Sequence, residues 1–320
     1  MTSDGGQGVT PRLQARDLLG TLPPDALAGI EITAVERPAV PGAHLSFGDV
    51  LALADFLDRV LVDDDITGVV ITQGTDTLDE TAFLLDLVLR SDVPVVLTGA
   101  MRNPTLPGAD GPANLAAAIR TAASRTAGGL GVLVVMNDEI HSARFVHKSH
   151  TTSVGAFTSI PGPLGWVVED RAVVVVAPRR RIRVQRSAWT REARIALISI
   201  ALDDDGTLVD AAIRGGFDGM VVATMGAGHV PSVTVPKLAR AAAQMPVVFV
   251  SRTGSGEVLR STYEFSGSEI DLRRHGLIGG GWLNGPKARV LLTALVATGH
   301  TRDQIAETFD SLAEGDDSVN

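Results

Sequence analysis

Thr75, Asp76 and Thr77 follow a glycine in the run Gln73-Gly74-Thr75-Asp76-Thr77, and Lys148 stands further along the chain. A threonine hydroxyl is a weak nucleophile until a neighbour takes its proton, and a lysine can do so only as the free amine. Burial favours that form, whereas a nearby carboxylate such as Asp76 favours the ammonium, so the two influences oppose each other. A plainer assignment uses the same residues. Thr77 caps a helix, Thr75 and Asp76 fill the turn, and Lys148 is a surface charge. Spacing alone leaves both open.

Other chemistry-bearing groups are less organised. His141, His147 and His150 form no pattern with a carboxylate partner, so no metal is expected there. Gly226-Ala227-Gly228 lacks the third glycine and downstream acid of a dinucleotide loop and reads as a tight turn. Asp203-Asp204-Asp205-Gly206 lacks the closing glutamate of a calcium loop and also reads as a turn. Ser251, Ser255 and Ser268 are outside any G-x-S-x-G elbow.

The threonine-rich turn needs elements to hold it. Residues 66–72 are a β-branched apolar run that can be buried on both faces, and an apolar stretch at helical period follows the Gly74 break. Thr77 and Glu80 stand in capping-box register, and Asp79 and Glu80 place negative charge in the first helical turn. A turn at a positive helix N-terminus, at the carboxyl end of a buried strand, is where open α/β sheets place their ligands.

Composition bounds the rest. With 320 residues, 45% hydrophobic and 20% charged, the chain exceeds the usual single-domain size, and two domains are expected. The absence of cysteine excludes disulfides and thiolate chemistry. A formal charge of −9 argues against nucleic acid as a partner and points to a small molecule. No apolar run approaches the roughly 18 residues of a membrane span, and the Gly-rich start has no h-region, so no membrane partner and a cytoplasmic location are expected.

Further strands are expected at 30–35, 94–98, 130–136 and 173–176, with a loop over 1–10 and helices over 11–22, 47–61 and 114–123. The stretch 141–157 reads as a functional loop or a pair of edge strands. The alternation recurs with strands at 195–201, 219–224 and 247–251 and helices at 208–214, 235–243 and 287–298. Strands alternating with helices define an α/β fold: a large N-terminal domain with a mostly parallel sheet flanked by helices, and a smaller C-terminal α/β domain. The expected bounds are 1–177 for the first, 178–192 for a basic linker and 193–320 for the second. The arginines of Pro178–Arg186 are read as a solvated surface.

The runs TQGTDTLDETAF, PVVLTGAMR, ADGPANLAAAI, GVLVVMND and HKSHTTSVGAF, then GAGHVP and LNGPKARVLLTALVATGHTRDQI, resemble the bacterial-type L-asparaginase family over nearly the whole chain. The resemblance implies a homotetramer of intimate dimers. It also implies hydrolysis of asparagine to aspartate and ammonia through attack of a threonine on the side-chain amide and an acyl-enzyme, with no cofactor or metal. Position by position, Thr75 matches the threonine of the family's second motif, Asp76 the aspartate that holds the substrate's α-amino group, and Lys148 the lysine that partners them. Glu269, in GSEIDLRRHG, matches a glutamate contributed by the adjacent subunit. The implied substrate-binding set is Gln73, Gly74, Thr75, Asp76, Gly42 and Glu269, taking L-asparagine and potentially L-glutamine. Carboxylates suit an amino acid's ammonium, and turn amides at a helix N-terminus suit its carboxylate.

There are departures. Gln73 stands where the family usually has histidine, Gly42 near its substrate-binding serine, and His229 at an asparagine. Tyr263, the only tyrosine, does not match the tyrosine of the family's mobile loop. The first motif, Thr-Gly-Gly-Thr-Ile-Ala, and its strand would precede Met1, so the natural protein is expected to start upstream. That departure keeps a second expectation open, a non-catalytic sensor of asparagine or aspartate. A third, the amidase-like subunit of a tRNA-dependent amidotransferase, would need a partner-recruiting domain that this chain does not have.

Overall fold

The structure is a computed structural model, describing residues 13–178 and 181–313. The expected loop over 1–10, Pro11 and the Arg179-Arg180 pair lie outside the described residues. The chain divides into two compact units, Met1–Arg183 and Val184–Asn320.

The first unit begins with a short helix α1 (Ala15–Leu19). Residues 30–35, expected as a strand, are irregular, with Ile32 and Val35 exposed. Their alternation finds no neighbouring strand to pair with, and an unpaired strand is not stable in water. Helix α2 (Phe47–Val60) starts where Ser46 and Asp49 form a reciprocal capping box. Then come β1 (Val69–Thr72), α3 (Leu78–Val88), β2 (Val95–Thr98), α4 (Gly111–Ala122), β3 (Val132–Met136), β4 (Glu139–Ser142), β5 (Val146–Lys148), β6 (Phe157–Ser159), β7 (Gly165–Val168) and β8 (Arg171–Val174).

Six strands form one mixed sheet in the order β1-β2-β3-β4-β7-β8. Strands β1, β2 and β3 run parallel, and β4, β7 and β8 continue the sheet antiparallel. Val96, Leu133 and Val135 pack with Ala117, Ala118 and Ala122 of α4. The alternate residues Val95, Leu97, Val132 and Val134 are equally buried and turn to the other face, where α3 packs. Burial on both faces explains why β2 and β3 are continuous apolar runs. Strand β1 is the exception to the sequence reading: it is an outer strand, its three apolar residues are only half-buried, and Thr72 is exposed. The stretch after β3 supplies β4 inside the large sheet, while β5 and β6 form a separate two-stranded ribbon.

The second unit comprises β9 (Ile195–Ser199), α5 (Thr207–Arg214), β10 (Gly219–Thr224), α6 (Val235–Gln244), β11 (Val247–Ser251), α7 (Glu269–Arg274), β12 (Ile278–Gly279), α8 (Gly285–Ala297) and α9 (Arg302–Ala313). Its four strands are all parallel, in the order β12-β11-β10-β9. Ile198, Met220, Val222 and Phe249 pack with Val209 and Ala212 of α5 and Leu238 and Ala241 of α6. Helix α8 lies against β9, β10 and β11 and is buried along nearly its whole length. The Asp203–Gly206 segment is a turn: Asp204 Oδ1 accepts from Gly206 N, and Asp205 Oδ1 from Thr207 N at the start of α5.

The basic run is not wholly solvated. Arg181 donates from Nε to Asp86 Oδ1 at 3.0 Å, its Nη2 stands 2.9 Å from the same oxygen, and both side chains are nearly excluded from solvent. Asp86 also accepts from Val132 N, which ties α3, β3 and the 181 segment together. An isolated buried aspartate costs too much to be left unpaired, and this arginine is its counter-charge.

Candidate active site

Past β1, Gln73 N donates to Thr98 O at the end of β2, so the turn 74–77 sits at the carboxyl ends of two parallel strands. It is packed from both sides. A Cβ on Gly99 would lie 2.5 Å from Gln73 O and 3.2 Å from Thr75 Cγ2, and one on Gly42 would lie 3.0 Å from Gly74 O. Only glycine lets the Gly99 backbone approach the turn this closely. Gly42 opens the 3₁₀ turn Gly42–His44, and its carbonyl accepts from Thr77 Oγ1 at 2.8 Å.

That contact corrects the capping expectation. Thr77 is the N-cap residue of α3, but its side chain makes no cap hydrogen bond. Its hydroxyl proton is committed to Gly42, and its oxygen accepts from Gln73 Nε2 at 3.3 Å. Gln73 Nε2 also donates to Thr81 Oγ1 at 3.1 Å. Gln73 and Thr77 therefore brace the turn from beneath, leaving Thr75 and Asp76 at its crest.

Lys148 reaches that crest from β5. Its Nζ lies 2.9 Å from Thr75 Oγ1 and 3.1 Å from Asp76 Oδ1. The Lys148 side chain is 19% exposed and that of Asp76 59%, so the amine is sheltered and the carboxylate open. Lys148 is not a solvated surface charge. The Lys148 backbone N–H donates to Asp79 Oδ2 at 3.4 Å, from a buried position in the first turn of α3. Neither Asp79 nor this contact was signalled by the sequence, in which Asp79 is only a favourable helix-start charge. Gln73, Gly74, Thr75, Asp76, Gly42 and Lys148 are thus gathered in one unit.

The three histidines separate. His141 is fully buried, with Nδ1 2.9 Å from Ser159 Oγ and Nε2 3.4 Å from Glu139 Oε2. His150 Nδ1 accepts from Thr152 N and Ser153 N within its own turn. His147 faces away from both neighbours in β5. Among the described residues no group of three or more His, Asp or Glu side chains could hold a metal.

Glu269 belongs to the other unit. It opens α7 behind the N-cap Ser268, is fully buried, and accepts through Oε1 from Thr262 N at 2.8 Å and Tyr263 N at 2.7 Å. Its Oε2 stands 3.3 Å from His229 Nε2, at ion-pair distance though outside hydrogen-bonding geometry. Burial works against ionisation, but the N–H groups of Tyr263 and Thr262 together with His229 outweigh it and hold the carboxyl below the usual glutamate range. His229 meets the rings of Tyr263 and Phe265 edge-on, each 5.0 Å away between centroids. It is carried by a tight turn closed by Met225 and His229, in which Gly228 has φ +123°. A side chain at Gly228 would press on Phe249 and on Glu269 itself. The sequence marked the turn, and only the resemblance marked Glu269 and His229; the aromatic surround went unread because its members are scattered between 229 and 265.

A threonine hydroxyl within reach of a sheltered amine, on a turn at the carboxyl ends of parallel strands, defines an α/β protein equipped for acyl transfer. The chain belongs to the asparaginase family: residues 1–180 match the model of Asparaginase, N-terminal, and residues 194–309 that of the Glutaminase/Asparaginase C-terminal domain. It is 35% identical over 263 residues to an L-asparaginase of Bacillus licheniformis, covering 81% of this chain and 80% of the relative. To a probable L-asparaginase of Deinococcus radiodurans it is 34% identical over 309 residues, 96% of this chain and 92% of that one. A glutaminase-asparaginase of Acinetobacter glutaminasificans is 32% identical over 291 residues, with 87% and 85% covered.

Proposed function

We propose that this protein hydrolyses L-asparagine to L-aspartate and ammonia, with Thr75 as nucleophile. The observation that carries this reading is Lys148 Nζ at 2.9 Å from Thr75 Oγ1. As the free amine, Lys148 takes the hydroxyl proton while Thr75 Oγ1 attacks the side-chain amide carbon. The tetrahedral intermediate collapses with protonation of the amide nitrogen and loss of ammonia, leaving an aspartyl ester on Thr75. Water then attacks the ester, aspartate leaves, and Thr75 recovers its proton. Asp76, the more open carboxylate, binds the substrate's ammonium. Gly74 and Gly42 shape the turn against the substrate's carboxylate, and Gln73 holds that turn rather than the ligand.

Glu269 is the residue we assign to a second copy's site, in a self-associated dimer or tetramer. Glutamine, one methylene longer, is a secondary substrate of the same pocket; such a difference is worth about 10–200-fold in discrimination. A cytoplasmic location is proposed with these, the cysteine-free chain being compatible with a reducing compartment, and cell fractionation tests it. A binding-only sensor leaves the Thr75–Lys148 contact without a task, and no observation favours it. The test is ammonia release from L-asparagine by the protein and by Thr75→Ala. Loss of nearly all activity in the variant is expected, and retention of more than a few percent removes Thr75 from the mechanism.

A further inference from the structure

The two-stranded ribbon that delivers Lys148 cannot hold itself in place. Such a ribbon is at best marginally stable alone, and this one has three registered pairs: Val146 with Ser159, His147 with Thr158, and Lys148 with Phe157. Alternation puts Val146, Lys148, Phe157 and Ser159 on one face and His147 and Thr158 on the other. The first face is the inner one, since Val146 and Phe157 are buried. Lys148 therefore leaves the ribbon on the side that packs against the unit, and its position depends on what grips that side.

The grip is polar. Ser159 Oγ, one cross-strand pair diagonal from Lys148, meets His141 Nδ1 at 2.9 Å. His141 is anchored in β4 of the large sheet and is fully buried, with Glu139 Oε2 facing its Nε2 at 3.4 Å. That Nε2 contact is at ion-pair distance though outside hydrogen-bonding geometry; we assign the ring proton to Nε2, beside the carboxylate, so that Nδ1 accepts from the Ser159 hydroxyl. The Asp79 carboxylate, accepting from Lys148 N at 3.4 Å, secures the other end of the face. We propose that the Glu139–His141–Ser159 chain is a positioning device for Lys148, setting the distance between its amine and Thr75. It is not a second hydrolytic triad, because His141 is closed off from solvent and Ser159 is held on the inner face. Misplacing a reacting group by about 1 Å costs on the order of a hundredfold in rate, so a ribbon loosened by less should lose roughly tenfold.

This inference rests on the Thr75–Lys148 mechanism above, and a double-mutant cycle separates the two. We expect Ser159→Ala to lower kcat for asparagine roughly tenfold with KM within about twofold, and Ser159→Thr, which restores the hydroxyl, to stay within about twofold of the parent. In a Lys148→Met background, Ser159→Ala should add less than about twofold, since there is no longer an amine to position. An equal loss in both backgrounds overturns the positioning role while leaving the mechanism intact. An unchanged kcat in Lys148→Met alone overturns the mechanism and this inference with it. If melting curves show that Ser159→Ala unfolds, His141→Gln carries the same comparison.

Discussion

Lys148 makes two contacts that pull its proton in opposite directions. The hydroxyl of Thr75 needs the free amine, and the carboxylate of Asp76, 3.1 Å away, favours the ammonium. In the mechanism proposed above, the substrate's own ammonium replaces Lys148 as the partner of the more exposed Asp76, which leaves the amine to Thr75. Lys148→Met is accordingly expected to lower kcat by about 10²–10⁴ in steady-state ammonia release, with a much smaller change in KM. Lys148→Arg should not restore it, since a guanidinium stays protonated. Of this site, the sequence made Thr75 and Asp76 visible as a turn before a helix, and a family resemblance joined Lys148 to them. The proximity itself was not legible, because a contact between residues 75 and 148 depends on how a separate ribbon is seated. Nor was the Thr77 hydroxyl's preference for Gly42 over its own helix, which a loop from elsewhere in the chain decides.

Helix α3 follows the Thr75 turn at one end and carries a buried charge near the other. Asp86 is held by Arg181 and by the Val132 N–H in a setting almost closed to water. Burial pushes its carboxyl up, against the pull of Arg181 and that N–H. Removing one partner of such a pair strands the other, at about 3–5 kcal/mol, whereas replacing both with apolar groups is often neutral. Arg181→Met should therefore destabilise the protein by about that amount in urea unfolding, and the double variant Asp86→Leu/Arg181→Met should recover most of the loss. The contrast separates an uncompensated charge from a lost contact. At this scale the sequence was most readable where physics is simplest: β2, β3, β10 and β11 are apolar on both faces, and the start of α2 carries its capping box. It was least readable where a strand's length or partner is set by the sheet. Residues 30–35 alternate like a strand but have no edge to join, β4 is short and mixed in polarity, β7 is short, and β1 proved to be an outer strand. Arg181 was read as solvated because a run of arginines gives no hint of an aspartate nearly a hundred residues earlier.

For the molecule as a whole, Thr75 lies in the first unit of the chain and the buried Glu269 in the second. Its carboxyl is held below the ordinary range, so the sign of its linkage is fixed. The stabilisation is present above the unfolded value of roughly 4.3 and is lost as the pH falls through the depressed folded value. The stability difference between the parent and Glu269→Gln, followed by urea unfolding, should therefore hold level from neutral pH to about 5 and shrink only as the pH is taken below roughly 4.3. A glutamate ionised at neutral pH and gripped by two backbone donors is a fixed negative charge, suited to a ligand's ammonium. If it serves a neighbouring copy in a two-fold dimer, the interface is self-complementary and each site takes Thr75 from one chain and Glu269 from the other. Mixing decides this. Thr75→Ala and Glu269→Ala chains, each inactive alone, are unfolded together in equal amounts and refolded. A hybrid dimer then holds one site with both residues intact and one with neither. Random pairing makes about half the dimers hybrid, so roughly a quarter of the parent activity should return. If both residues of a site came from the same chain, every site in every hybrid would carry one defect and the mixture would stay inactive.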